Sequence, residues 1–327
     1  MSAKPAADSV CEDRRDVSAT ADARPIDELA RCAVVGGDGA VGRLLAGVLA
    51  AAGGEVAILD VAAEPHPDVR TLGPHRTLDA RRPSAELSAA LAAVHCVVLA
   101  LPEAAALDAL PHVVAAAPAG ALVVDTLSVK TPFARAALAT GAALELLSLN
   151  PMFAPSLGLA GRAVLAVELA PGPRSRALLR LLRETARVVT VADAEAHDRA
   201  TAALQVAVHA GLLGLGLALE RLGADLEELL PVAPPPFVVQ LALLARIASA
   251  SPETYADIQR ANPFAADARG ALAAALAELD AAAAETDPGR LERLVAEAGE
   301  LLGPRREALA AQAARLLAQL QPPSADS

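Results

Sequence analysis

The sequence predicts an α/β domain built on a mostly parallel sheet, followed by an all-α helical domain, and three observations carry that reading. Short apolar runs alternate with helical stretches from Arg31 to about residue 192. A glycine-rich turn, Gly37-Asp38-Gly39-Ala40-Val41-Gly42, separates the first run from the first helical stretch. Beyond Asp193 the strand signals stop, and helical patterns continue to residue 320.

The apolar runs at 32–35, 56–59, 96–101, 122–124 and 144–149 read as strands buried on both faces. Helical stretches at 40–52, 104–116 and 132–140 lie between them, and two more strands at 163–169 and 187–191 flank a helix at 174–185. Residues 1–29 are rich in Ala, Asp, Arg and Pro without a period, and are expected to form a flexible tail. A boundary near 192 then separates a sheet domain at 30–192 from a helical domain at 193–320, with a second tail at 321–327. Helices are predicted at 194–221, about 225–230, about 237–249 and 252–261, followed by a long amphipathic pair over 265–320. The Pro234-Pro235-Pro236 run interrupts this series. Small apolar residues dominate the helical domain, which is expected to bury one face against a second copy and form a homodimer.

Composition limits the function. The net charge of −11 argues against a nucleic-acid binder and disfavours an acidic membrane surface. A small anionic substrate then requires a few local cations. Three scattered cysteines, Cys11, Cys32 and Cys96, support neither a disulfide framework nor a metal site. The N-terminus is charged and lacks the apolar core of a signal peptide. Residues 200–219 carry no formal charge, but Thr201, Gln205 and His209 within them favour a buried helix of a soluble bundle over a membrane span. The expected location is cytoplasmic.

The glycine turn carries the first chemistry. Gly37 permits the tight turn, Gly39 lets the backbone approach a pyrophosphate, and Gly42 lets the helix pack on the strand, as in a Rossmann domain. The amides at the helix start, through Ala40 and Val41, then hold phosphates. Asp60 ends the second strand, where its carboxylate accepts hydrogen bonds from ribose hydroxyls and repels a 2′-phosphate, so NAD is favoured over NADP. Asp38 is unusual inside the loop, with its charge directed toward the phosphate region or out to solvent.

Three further segments are too specific for scaffold: Asp125-Thr126-Leu127-Ser128-Val129-Lys130 and Leu149-Asn150-Pro151-Met152-Phe153-Ala154-Pro155, each following a strand, and 241–258 with Arg246 and Thr254-Tyr255-Ala256-Asp257-Ile258. With Glu195-Ala196-His197-Asp198, Gln205 and His209, these resemble the prephenate and arogenate dehydrogenase family from about Cys32 to about Leu320. The resemblance implies a Rossmann domain plus a helical dimerisation domain. It also implies an oxidative decarboxylation, in which a cyclohexadienyl ring gives hydride to NAD, loses carbon dioxide and becomes aromatic. Ser128 would hydrogen-bond the ring substituent, and Arg246 would pair a substrate carboxylate through a bidentate fork. Lys130 is a second candidate cation, and Gln205 and His209, four residues apart, line the pocket in this reading.

The departure from the family pattern falls at Asn150, where the family has a histidine that takes the hydroxyl proton. An amide cannot act as a general base at neutral pH, and losing such a base costs ~10²–10⁴-fold. The substrate needs no base, the base lies elsewhere, or the chain is a catalytically silent NAD-binding protein. A ring amine meets the first case, because its nitrogen lone pair is the stronger donor and expels hydride unaided. The resemblance then points to the branch oxidising 4-amino-4-deoxyprephenate to 4-aminophenylpyruvate, with prephenate itself as the alternative substrate. Val238, where some hydroxyl-oxidising members carry an arginine, points the same way. The length leaves no room for an added mutase or regulatory domain beside these two, so a monofunctional enzyme is expected.

Simpler roles compete at several positions. His197 follows Asp193, a possible N-cap, and serves capping or domain contact as readily as catalysis. His209 in its apolar helix is a core residue or a pocket residue. Arg246, among Leu, Ala and Ile, needs an anion if buried, from the substrate or from a protein carboxylate. His66, His75, His95 and His112 carry no argument.

Overall fold

The computed structural model describes residues 25–249, 251–287 and 289–320. Most of the expected N-terminal tail, with Cys11, and the tail at 321–327 lie outside the described residues. The chain divides into two compact units: the first runs to Thr201 and takes in Ala261–Pro263, and the second comprises Ala202–Arg260 and the residues from Phe264 onward.

The first unit holds strands β1 (Arg31–Val35), β2 (Glu55–Asp60), β3 (His75–Thr77), β4 (Cys96–Leu99), β5 (Leu122–Asp125), β6 (Glu145–Pro151), β7 (Ala163–Ala170) and β8 (Arg187–Thr190). Its helices are α1 (Ala40–Ala51), α2 (Ala85–Leu91), α3 (Glu103–Ala116), α4 (Thr131–Ala139), α5 (Pro173–Arg183) and α6 (Ala194–Thr201). The strands form one sheet in the order β3-β2-β1-β4-β5-β6-β7-β8. Successive residues of the central strands point to opposite faces. Cys32, Val34, Cys96 and Val98 meet α1 and α5 through Leu45, Leu49, Leu178 and Leu182. On the other face Ala33, Val35, Val97 and Leu99 meet α2, α3 and α4 through Leu91, Leu110 and Phe133. Burial on both faces explains why these strands read as unbroken apolar runs.

Every pairing is parallel except β6 with β7. The segment joining those two carries only a 3-10 turn at Pro155–Leu157, too little for a crossover, so the chain returns antiparallel. The ends of β1, β5 and β6 therefore open at the same edge of the sheet, where the glycine turn and the segments 125–130 and 149–155 lie.

Three local differences from expectation have physical causes. Residues 25–29 are not tail: Pro25–Leu29 form a 3-10 turn whose Ile26 and Leu29 are buried in the core beside α5. Neither β3 nor α2 was expected from the sequence: β3 is a short edge strand without an apolar run, and α2 is a short helix whose one marker is its cap, where Ser84 Oγ accepts from the Leu87 amide at 3.0 Å. The unit boundary falls at Thr201/Ala202, within what the sequence presents as one helix over 194–221.

In the second unit a π-helical turn at Ala202–Ala207 leads into α7 (Val208–Arg221). Then come α8 (Leu226–Leu229), α9 (Pro235–Ala248), α10 (Pro252–Ala261), α11 (Ala265–Ala284), α12 (Gly289–Glu300) and α13 (Arg306–Leu317). The proline run starts α9 rather than only breaking a helix, because the first turn has no intrahelical acceptor for its amides. The expected pair over 265–320 is three helices, with Gly303 in the left-handed region between the last two. The stretch Ala194–Arg221 is long and apolar enough to cross a membrane by length and composition. Its first turns, however, place His197 and Asp198 in the interior of the first unit.

Candidate active site

The turn after β1 is built by four glycines. Gly36 carries the left-handed backbone, φ +78°, and a Cβ there would lie 2.2 Å from the Ala100 carbonyl oxygen. The residue that the turn's conformation most requires is thus one position before the motif, and the sequence reading missed it. A Cβ on Gly42 would sit 2.2 Å from the Gly36 oxygen, and one on Gly37 2.7 Å from the Ile58 side chain. Gly39 differs: its closest atom would be the Gly36 oxygen at 3.2 Å, and its open side borders a cavity of about 500 Å³. No side chain caps α1, so the amides at Ala40 and Val41 lie in a first turn that no capping group occupies. The cavity also meets Asp60, Leu78, Arg81 and Leu101.

Asp60 is held in place by its own loop, with Oδ2 accepting from the Asp38 amide at 3.0 Å and Oδ1 from the Ala62 amide at 3.1 Å. Asp38 corrects the sequence expectation. Its carboxylate accepts from the His66 amide at 2.9 Å and contacts His75 Nε2 at 2.8 Å, and the side chain is only 11% exposed. The charge is therefore tied to the β2–β3 side instead of facing phosphate or solvent, and His75, read as uninformative, is its partner.

At the ends of β5 and β6, Asp125 and Lys130 are completely buried and paired at 2.7 Å. Lys130 Nζ also donates to the Leu149 carbonyl at 2.8 Å, while Asp125 accepts from the Leu127 amide and the Ser148 hydroxyl. Burial lowers the Lys130 pKa, against the pull of Asp125. Lys130 is thus a structural cation joining β5 to β6, and the expectation that it meets substrate is withdrawn. Ser128, between the two, is half-buried and makes no hydrogen bond among the described residues.

Asn150 lies on β6 and is 2% exposed. Its Nδ2 is 3.1 Å from His197 Nε2, and His197 Nδ1 is 2.9 Å from Asp198 Oδ1. Asp198 further accepts from the backbone amides of Lys130 and Thr131, each at 2.8 Å, at the start of α4. Burial pushes the His197 pKa down, so the ring is neutral at pH 7. For Asp198, burial acts upward, but hydrogen bonds from His197 and the α4 amides outweigh it and hold the carboxyl below its ordinary range. Sequence reasoning left His197 among several roles. The contact that decides among them spans 47 residues, and no local signal reveals it.

In the second unit His209 is buried, with its ring 4.9 Å from that of Tyr255 in an edge-to-face contact. The π-helical turn interrupts the spacing between Gln205 and His209, and no hydrogen bond joins them. Gln205 Oε1 and His209 Nδ1 are both buried without a partner. Burial lowers the His209 pKa, and the charge of Arg246 adds to the effect. Arg246 itself is exposed and forms no ion pair among the described residues, so the argument that burial demands an anion does not apply to it.

Residues 193–297 match the family model described as prephenate dehydrogenase, dimerization domain. The chain is 44% identical over 291 residues to a 4-amino-4-deoxyprephenate dehydrogenase from Streptomyces pristinaespiralis, covering 89% of this chain and 97% of that one. In fold it is similar to the prephenate dehydrogenase of A. aeolicus, solved with hydroxyphenyl propionate and NAD+, with a TM-score of 0.65 at 18% identity over 88% of this chain and 98% of that one. It is also similar to Synechocystis arogenate dehydrogenase, with a TM-score of 0.58 at 19% identity over 85% and 99%. With a glycine cradle after β1, a matching dimerization domain and a relative this similar along nearly its full length, the chain belongs to the prephenate dehydrogenase family.

Proposed function

We propose that this protein is an NAD-dependent dehydrogenase that oxidatively decarboxylates 4-amino-4-deoxyprephenate to 4-aminophenylpyruvate. One observation carries the choice of substrate. The side chain at position 150 is a neutral amide whose Nδ2 faces His197, so its Oδ1 remains the free group. That oxygen accepts a hydrogen bond from a ring amine but cannot remove a proton from a ring hydroxyl at pH 7. The 44% identity to a relative named for this substrate supports the same reading.

The cradle fits a dinucleotide. Gly39 presents a bare face that a Cβ would fill, α1 begins without a capping side chain, and Asp60 borders the same cavity as a ribose acceptor. When bound, NAD supplies the hydride acceptor. Gly37, Gly39, Ala40, Val41, Gly42 and Asp60 are the residues that would hold it.

The rest of the chemistry falls to the chain's own groups. Positive charge develops on the substrate nitrogen, and Asn150 Oδ1 together with the Ser128 hydroxyl stabilises it by hydrogen bonding. The amine reacts in its neutral form, having lost any extra proton to water before it binds, and decarboxylation then returns an electron pair through the ring to that nitrogen, so no enzymic base is required. Arg246 pairs a substrate carboxylate, a task its exposed and unpaired guanidinium is free to perform. Gln205 and His209 supply an acceptor and a ring nitrogen that lack partners, the condition in which a ligand satisfies buried polar atoms.

The protein acts in this reading as a cytoplasmic homodimer in a pathway to para-aminophenylalanine-derived antibiotics. Exposed leucines and valines on the last three helices, Leu276, Leu279, Val295 and Leu316 among them, support the dimer. The test is an assay of the purified protein with NAD and each substrate. NADH formation from the amino compound well above that from prephenate is expected. Equal or faster turnover of prephenate overturns the reading, and turnover of neither favours a silent NAD-binding protein.

A further inference from the structure

We infer that His197 is a positioning residue whose fixed tautomer turns the carboxamide of Asn150 so that Oδ1 is offered to the substrate's ring amine. The identity of that ligand rests on the function proposed above; the orientation of the amide does not.

The argument starts at Asp198. Its carboxylate accepts from two backbone amides at the start of α4, Lys130 N and Thr131 N, both at 2.8 Å, which fixes the anion in position. The backbone behind it is fixed as well, because Asn262 Nδ2 donates to the Asp198 carbonyl at 2.8 Å. A carboxylate so held is an acceptor only, so the ring nitrogen 2.9 Å away, His197 Nδ1, must carry a proton. The neutral ring then has a bare lone pair at Nε2. The atom of Asn150 facing that lone pair at 3.1 Å must be the donor, Nδ2, and the carboxamide has no freedom to reverse. Reversal would set Oδ1 against the Nε2 lone pair, two acceptors in a site closed to water. His197 and Asp198 are fully buried and Asn150 is 2% exposed, so no solvent relieves such a contact.

The tautomer and a proton-transfer role for His197 make different predictions. Glutamine carries one acceptor and one donor at nearly the spacing of the two ring nitrogens, but it does not titrate. His197→Gln therefore preserves the orientation of Asn150 and removes all acid–base capacity. His197→Leu removes both.

Three measurements decide the question. First, nitrogen-15 NMR of the unliganded full chain labelled on histidine, with His197 assigned by its loss in His197→Gln, is expected to show Nδ1 protonated and Nε2 bare across neutral pH. A protonated Nε2 overturns the inference whatever the substrate is. Second, with the amino substrate, His197→Leu is expected to lose roughly tenfold or more in kcat, as fits one misdirected buried hydrogen bond, with KM nearly unchanged. Third, His197→Gln is expected to recover most of that loss. A glutamine variant as slow as the leucine variant makes His197 an acid–base group and overturns the inference, as do two variants indistinguishable from wild type. NAD affinity and thermal midpoint report folding, and if the leucine variant does not fold, the spectrum and the glutamine variant decide. A wild type that oxidises only prephenate sinks the functional reading, and the tautomer measured by NMR then judges this inference separately.

Discussion

Lys130 Nζ and Asp125 Oδ1 lie 2.7 Å apart with neither side chain exposed to solvent. Their partners on β6, the Leu149 carbonyl and the Ser148 hydroxyl, make this pair the tie between the strand ends that present Ser128 and Asn150. Removing one member leaves an uncompensated buried charge. Lys130→Met is predicted to destabilise the fold by about 3–5 kcal/mol in urea unfolding. Adding Asp125→Leu is predicted to recover part of that loss. An unchanged unfolding midpoint in the single variant contradicts the structural role assigned to Lys130.

Gly39 and Gly42 belong to one motif but differ in what surrounds them. Gly42→Ala forces a methyl against the Gly36 carbonyl, and is predicted to lower stability by about 1–3 kcal/mol as well as NAD binding. Gly39→Ala sets its methyl 3.2 Å from the same Gly36 oxygen, a milder crowding, so the melting temperature should fall less than in Gly42→Ala while NAD affinity drops on the order of tenfold. Calorimetry of both variants, with and without NAD, checks the contrast. An equal stability loss in the two contradicts it.

Acid should destabilise the protein in two windows. His197 and His209 both have folded-state pKa values lowered by burial from the ordinary 6.5. The unfolded chain therefore binds more protons than the folded one as pH falls through 6.5, and stability declines with it. Asp198 is held below its ordinary 3.8, so its contribution is present above that value and is lost as pH falls through the lower folded value. Urea midpoints measured from pH 8 downward should decline below 6.5, and His197→Gln should flatten part of that slope.

Asn150→His places an imidazole at the end of β6. It is predicted to raise prephenate oxidation within the ~10²–10⁴-fold range that a general base supplies. Steady-state rates on both substrates provide the measurement. No gain on prephenate means that position 150 does not control substrate choice.

Arg246 is exposed, so its replacement should cost little stability. Arg246→Gln is predicted to raise KM for the anionic substrate about ten- to a hundredfold, the worth of a charged hydrogen-bonded pair, with an unchanged melting temperature. An unchanged KM removes Arg246 from substrate binding.

The central sheet was legible in the sequence because its strands are buried on both faces and so appear as unbroken apolar runs. The glycine turn was legible because each position answers to a steric demand, though Gly36, the one glycine of the turn with a left-handed backbone, stands outside the recognised spacing. Polar partnerships were not legible. Lys130 reads as a free cation until Asp125 is placed beside it, and Asp38 reads as a misplaced charge until β3 brings His75 to it. Asn150 showed that a base was missing, but only the folded chain shows what stands behind it.

The contact between Asn150 and His197 has a consequence for how such enzymes diverge. A histidine at position 150 meets the same lone pair with a ring N–H that the asparagine meets with its amide N–H, so the supporting His197 and Asp198 serve either residue without rebuilding. Histidine and asparagine codons differ by a single base. A hydroxyl-oxidising site and an amine-oxidising one are thus adjacent in mutational space, with one socket of His197 and Asp198 serving both side chains.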